Sequence, residues 1–363
     1  MKILHIGSVC GHGGTETVMA TLIQLQRQDG VEADAFFFAD CGGSEHFKGI
    51  CPVYFANHHS LTELLMSNGY DLVHVISGAA KNTQICLKRA GFNGAVIESC
   101  HGTFTGGLVS DCITAVSKYT ASSIQPKVSQ PVEVIPNGID VNTFSPKEAE
   151  ITASKPIIAW IGRYTDVLKD FDGVIALANT PEAGNYNFIV VDGAPEEYEY
   201  ANWLPKEAVV LRRKPWREMP KFYRDVRSSR GIVLSTSRLE SFGLSLIEAG
   251  ACGCPVVAPK VGGIGEVVQH KNTGYLYERS RGTAGLIEAL NWIRKPENYD
   301  LISENAIKHI KEHFSASRMW DNYKRVYEIA LSTKQKRKHY APALRYFFFK
   351  TAKCLGLCKR GSL

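Results

Sequence analysis

Short apolar runs rich in Val and Ile alternate along this chain with longer stretches whose apolar positions recur at helical spacing. In the first half, residues 2–6, 33–38, 53–56, 72–76, 95–99, 112–116 and 132–135 read as buried strands. Residues 14–28, 60–67, 79–90 and 118–123 read as helices. A second series opens with Pro156-Ile-Ile-Ala-Trp-Ile161 and continues through Tyr277, and three helical stretches follow to about Leu331. Strands with so few polar positions are covered on both faces, and strand–helix alternation builds parallel sheets. The chain is therefore expected to be α/β, with two doubly wound, Rossmann-like domains. A polar stretch at 146–154 sets the expected division: an N-terminal domain over 1–150, a C-terminal domain over 151–331 and a tail over 332–363.

One segment of the second series carries a chemical pattern. Gly231-Ile-Val-Leu-Ser235 reads as a strand, Leu244 to Cys252 as a helix ended by Gly253, and Pro255 opens the next strand. In such a unit the free N–H groups of the helix start face the ligand crevice at the sheet's carboxyl edge, where they suit a phosphate. Glu240 and Glu248 stand on either side of that helix start. Glu240, on the loop, can reach a sugar hydroxyl beyond the phosphate; Glu248, more than a turn into the helix, can accept hydrogen bonds from a ribose diol. Glutamates on helices are ordinarily solvated charges, but Glu248 lies between Ile247 and Ala249 in an otherwise apolar helix.

Three further positions follow strands. Arg163 and Lys169, in Gly162-Arg-Tyr-Thr-Asp-Val-Leu-Lys169, start at a strand's carboxyl end and could stabilise charge growing on a leaving phosphate. His101, in Glu98-Ser-Cys-His101-Gly-Thr, follows a buried strand, where a lone histidine is more often structural. Gly13-Gly14-Thr15-Glu16 follows the first strand; the two glycines either let backbone approach a ligand or simply make a tight turn.

These segments together resemble the retaining glycosyltransferases of family four, the group 1 transferases with the GT-B fold. That family's donor signature is Glu, seven residues, Glu, with Phe-Gly after the first and Ala-x-Gly-x-Pro-Val-Val beyond the second. It is matched here by Glu240, Phe242-Gly243, Glu248 and Ala251-Cys-Gly-Cys-Pro-Val-Val257. The likeness extends to Val261-Gly262-Gly263-Ile264-Gly265-Glu266-Val267, to Asn272-Thr273-Gly274-Tyr275-Leu276 and to Pro136-Asn137-Gly138-Ile139-Asp140 with Phe144 and Pro146. It also takes in the "Gly-Arg…Lys-Gly" block, where Asp170 stands in place of the usual glycine. The resemblance covers nearly all of 1–331 and implies two domains facing a cleft. It implies that Arg163 and Lys169 grip a diphosphate, Glu248 the ribose, Glu240 the sugar, and His101 the face of the reacting carbon. Gly13, Gly14, Phe242, Gly243 and Leu244 would line the donor, and Glu266 would help close its site. The implied reaction is front-side, with the leaving phosphate helping to take the acceptor's proton.

Composition refines this picture. With 44% apolar and 21% charged residues the 363-residue chain is of ordinary globular make-up and long enough for two cores. It has no apolar run long enough to span a membrane, and Met1–Gly7 is too short for a signal-peptide core. Ten scattered cysteines without a Cys-x-x-Cys pair point to reduced thiols, no zinc and a cytoplasmic protein. The formal charge of +6 is misleading: nine of the 42 Lys/Arg lie in 334–363, which has no Asp or Glu, so the remainder carries −3. A nucleic-acid-binding body is thus not expected. The tail joins the basic cluster Lys334–Lys338 to Tyr346-Phe-Phe-Phe349, which suits either packing on the first domain or an anionic membrane surface.

The expected activity is a metal-independent hexosyl transfer from a UDP- or GDP-linked sugar, with no cofactor besides that co-substrate, to a sugar or lipid-linked acceptor in cell-surface glycan synthesis. A GT-B-fold sugar-nucleotide epimerase and a catalytically silent nucleotide-sugar binding protein remain open at this point.

Overall fold

The computed structural model describes residues 1–56, 58–147, 155–193, 203–212 and 214–333. The expectations for the tail from Lys334 on lie outside the described residues. The chain divides into two compact units, Met1–Pro136 joined by the chain from Met319, and Asn137–Arg318.

The first unit contains β1 (Lys2–Cys10), α1 (Gly14–Gln28), β2 (Glu32–Asp40), β3 (Val53–Phe55), α2 (Leu61–Ser67), β4 (Leu72–Ile76) and α3 (Ala80–Ala90). It continues with β5 (Ala95–Cys100), β6 (Cys112–Ala115), α4 (Lys118–Ile124) and β7 (Val132–Val134). All seven strands are parallel, in the order β3-β2-β1-β4-β5-β6-β7. The core gathers Leu4, Ile6, Phe36, Val73, Val75 and Val96 with Leu64, Leu65 and Leu87 from the helices. Strand β1 runs four residues past its expected end at Ile6, because its pairing with β2 continues to Cys10 opposite Asp40. Gly7 permits this; a Cβ there would stand 2.4 Å from the Phe37 ring.

The second unit contains β8 (Ile157–Gly162), α5 (Phe171–Ala178), β9 (Asn187–Asp192), β10 (Val209–Arg212), α6 (Met219–Ser228), β11 (Ile232–Leu234) and α7 (Leu244–Ala251). After these come β12 (Val256–Pro259), α8 (Ile264–Val267), β13 (Tyr275–Tyr277), α9 (Gly282–Ile293) and α10 (Pro296–His313). Its six strands are also parallel, in the order β10-β9-β8-β11-β12-β13. Both units thus have the doubly wound arrangement, in which chain direction across the sheet reverses at β1/β4 and at β8/β11.

The division differs from the expected one at both ends. The Pro-Asn-Gly-Ile-Asp segment belongs to the second unit from Asn137 on. Ile139 forms a bridge with Ser315, with Ile139 N–H donating to the Phe314 carbonyl at 2.9 Å. The Phe144 ring lies 6.3 Å from that of Tyr223. The last helix, α11 (Ala316–Thr333), joins the first unit from Met319. Its buried stripe Met319, Trp320, Tyr323, Val326, Tyr327 and Ala330 recurs at helical spacing.

Hydrogen bonds fix that docking. His74 on β4 bonds the Tyr327 hydroxyl through Nδ1 at 2.8 Å and Ser99 through Nε2 at 2.6 Å. Gln26 donates to Tyr327 at 3.1 Å and bonds His5 at 2.8 Å, while Trp320 donates to Asp29 at 2.6 Å. Tyr327→Phe removes one hydroxyl and leaves the buried His74 and Gln26 groups short of a partner. It is expected to destabilise the protein by about 1–3 kcal/mol, read from urea unfolding; an unchanged midpoint would show the hydroxyl to be dispensable. Among the described residues no helix is long and apolar enough to cross a membrane.

Candidate active site

In a doubly wound sheet the ligand crevice lies beyond the carboxyl ends of the strands where the order reverses. In the second unit that place is flanked by loop 163–170, which leaves β8, and loop 235–243, which leaves β11. The two loops are tied together. Arg238 N–H donates to the Leu168 carbonyl at 2.7 Å, and the Thr236 hydroxyl donates to the Lys169 carbonyl at 2.9 Å. Trp160 of β8 donates to Thr236 at 3.2 Å. Across this junction Lys169 Nζ meets Glu240 Oε2 at 2.6 Å. Arg163 turns to Asp166 at 3.0 Å, and Asp166 also accepts from Leu168 N–H at 3.0 Å.

Asp170, where the family pattern has glycine, is in the left-handed conformation, with φ 51° and ψ 58°. This is a conformation that glycine adopts readily, and here it is held by a residue whose side chain is bonded on both oxygens. Arg238 Nη2 reaches one carboxylate oxygen at 2.7 Å and Arg279 Nη1 the other at 2.7 Å. Burial alone would raise the Asp170 carboxyl, but the two guanidinium groups outweigh it and hold it below the usual carboxylate range.

The Val261-Gly-Gly block serves Glu240. Gly263 N–H donates to the Glu240 carbonyl at 2.8 Å. Gly262, at φ 53°, is so close that a Cβ would stand 2.1 Å from the same oxygen. Helix α7 then begins at Gly243, whose φ of 100° only glycine adopts readily. Its carbonyl accepts from Leu246 and Ile247, so the N–H groups of Leu244 and Ser245 precede the first bond within the helix. The ring of Phe242 is buried edge-on to Phe314. Glu248 is buried one turn further on, and the Tyr223 hydroxyl donates to its Oε2 at 2.9 Å. Burial pushes its carboxyl up to about 7, against the opposing pull of the Tyr223 hydrogen bond.

His101, Gly13 and Gly14 lie on the first unit, after β5 and β1 at the carboxyl edge of that sheet. Part of the His101 surface stays exposed, yet burial of the ring lowers its pKa to about 4, so it is neutral at pH 7. The loop that follows is organised by the fully buried Glu98, which accepts from the Thr105 hydroxyl at 3.0 Å and from Gly106 and Leu108 N–H groups. Gly13 is extended rather than left-handed. It is exposed, and a Cβ there would meet only the end of the Glu16 side chain, at 2.8 Å from Oε2. The Glu16 carboxylate also accepts from Gly11 N–H at 3.4 Å, which ties the start of α1 back to the end of β1.

Arg238, Arg279, Tyr223 and Glu98 were not among the residues singled out in the sequence. Only Glu98 left a signal there, as a carboxylate in the middle of an apolar strand. Among the described residues no group of three His, Cys, Asp or Glu side chains is placed to hold a metal ion.

Residues 12–143 match the family described as Glycosyltransferase Family 4, and residues 141–309 match Glycosyl transferases group 1. The chain is 28% identical over 227 residues to N-acetyl-alpha-D-glucosaminyl L-malate synthase of Bacillus anthracis, covering 60% of this chain and 59% of that protein. It is 30% identical over 212 residues to a probable sucrose-phosphate synthase of Thermosipho melanesiensis, covering 55% and 48%. The matches thus span about half to three-fifths of these relatives' own length. Among solved structures, Anabaena HepE in complex with UDP-glucose superposes with a TM-score of 0.76 at 19% identity, covering 90% of this chain and 99% of that one.

Proposed function

Since the chain belongs to the family 4, group 1 glycosyltransferases of GT-B fold, we propose that it is a retaining transferase that moves a hexosyl residue from a nucleoside diphosphate sugar to an acceptor hydroxyl. The observation that carries this reading is the meeting of Lys169 with Glu240 at the strand-order reversal, beside the start of α7. A cation and helix N–H groups there suit a diphosphate, and a carboxylate next to them suits the hydroxyls of the attached sugar.

In this reading the bond from the anomeric carbon to the diphosphate breaks while the acceptor oxygen bonds the same face of that carbon. The acceptor's proton passes to an oxygen of the leaving phosphate. Lys169 and Arg163 take up the charge that grows on the diphosphate, with the N–H groups of Leu244 and Ser245 at the helix start that follows Gly243. Glu248 accepts from the ribose diol, and Glu240 orients the sugar. Neutral His101 is assigned to the reacting face of the sugar, and the Gly13-Gly14 turn to the donor's surroundings. A UDP-linked donor is favoured by the likeness to HepE, whose structure contains UDP-glucose. The reading also takes the acceptor to belong to cell-surface glycan synthesis, on the cytoplasmic side. Membrane contact is an expectation for the tail alone.

The test is a panel of UDP- and GDP-hexoses offered to the purified protein. Slow release of the nucleoside diphosphate without acceptor, undiminished by EDTA, is expected. Epimerised nucleotide sugar without release would favour the epimerase instead, and failure to bind any member would overturn the reading. Activity lost in EDTA and restored by Mn²⁺ or Mg²⁺ would overturn its metal-independent form.

A further inference from the structure

We propose that Asp170 is a positioning residue for the donor, holding Lys169 opposite Glu240 through a carboxylate shared by Arg238 and Arg279. This rests on reading Lys169 as a diphosphate ligand. Asp170 follows Lys169 directly and occupies a left-handed backbone position that disfavours a side chain. The side chain present there is only 10% exposed and fully engaged. Arg238 contacts one oxygen through both Nη2 and Nε, at 2.7 and 3.1 Å, and Arg279 takes the other at 2.7 Å.

The two arginines come from different segments. Arg238 lies on the loop that carries Glu240. Arg279 follows β13 and also donates to the carbonyls of Thr236 and Ser237, at 2.8 and 3.3 Å. One carboxylate therefore joins three segments at the residue next to Lys169. Without it, two guanidinium groups beside the Lys169–Glu240 pair would lose their counter-charge, and the lysine would lose its fixed approach to Glu240.

Asp170→Gly tests this cleanly, because glycine accepts the left-handed backbone without strain and only the carboxylate is lost. UDP and GDP are titrated calorimetrically into wild type, Asp170→Gly, Asp170→Asn, Lys169→Ala and the Lys169→Ala/Asp170→Gly double variant, with melting temperature as the check on folding. Asp170→Gly should bind the nucleoside diphosphate about tenfold more weakly. Asp170→Asn, which can still accept from one guanidinium, should recover part of that loss. On the Lys169→Ala background Asp170→Gly should add nothing, since it acts through the lysine. Wild-type affinity in Asp170→Gly, or an equal further loss on the Lys169→Ala background, would overturn the clamp while leaving the donor site intact. Wild-type affinity in Lys169→Ala, or no binding of either nucleotide by the wild type, would instead overturn the donor-site reading and the clamp with it.

Discussion

Lys169→Ala is expected to lower turnover by about 10²–10³-fold, the effect of losing one preorganised stabiliser of developing charge. The lysine is held in advance: its carbonyl accepts from Thr236, its ammonium from the start faces Glu240, and its side chain is only 31% exposed. A cation fixed in this way costs little reorganisation when charge appears on the leaving phosphate. Arg163 is 51% exposed and, among the described residues, pairs with the neighbouring Asp166, so Arg163→Ala should cost less than Lys169→Ala. Steady-state rates with saturating donor measure both. Turnover unchanged in Lys169→Ala, or a larger loss in Arg163→Ala, would place the charge stabilisation elsewhere.

The two glutamates should separate by pH. Glu248 is raised from 4.5 to about 7 in the folded protein by burial. The folded state therefore keeps a proton that the unfolded chain has released. The stability this contributes is complete below about 4.5 and is lost as pH rises through about 7. A ribose diol donating to Glu248 requires the ionised carboxylate, so its binding has the opposite dependence. Nucleoside diphosphate affinity of the wild type should rise about tenfold between roughly pH 6 and 8, beyond any change in Glu248→Gln. At the upper pH, Glu248→Gln should bind about 10–100-fold more weakly, the size of a lost hydrogen bond to a charged group. Glu240→Gln should keep or improve that affinity, because it releases Lys169 from its present partner, while transfer falls. Calorimetry across this pH range measures all three proteins; parallel curves for wild type and Glu248→Gln would remove the ribose role.

Much of this was legible in the sequence. The strand at 95–99 was visible because it is buried on both faces and carries β-branched residues. The α7 start was visible because Gly243 is needed for its φ and Gly253 ends the turn beyond it. The spacing of Glu240 and Glu248 likewise reflects a loop-to-helix junction that the chain forms locally. What stayed hidden depends on distant partners. Tyr323 and Tyr327 lie in a stretch legible only as helical, and nothing in their spacing names His74 or Ser99 as what they meet. Asp170 looked like a flaw in a glycine block until Arg238 and Arg279, 68 and 109 residues away, were seen to converge on it. The motif marks Phe242, but nothing near it in the chain names Phe314, 72 residues on, as the ring it packs against.

The return of the last helix to the first unit has a consequence for how the molecule is made. Synthesis delivers the first sheet to solvent before the second, yet the hydroxyl that satisfies His74 is 253 residues further along. Chains usually fold domain by domain behind the ribosome, with the N-terminal domain finished first. Here the second unit, an uninterrupted segment from Asn137 to Arg318, can close while the first still waits for its final piece. The half translated first is the half completed last, and in that interval the nascent protein has most need of a chaperone.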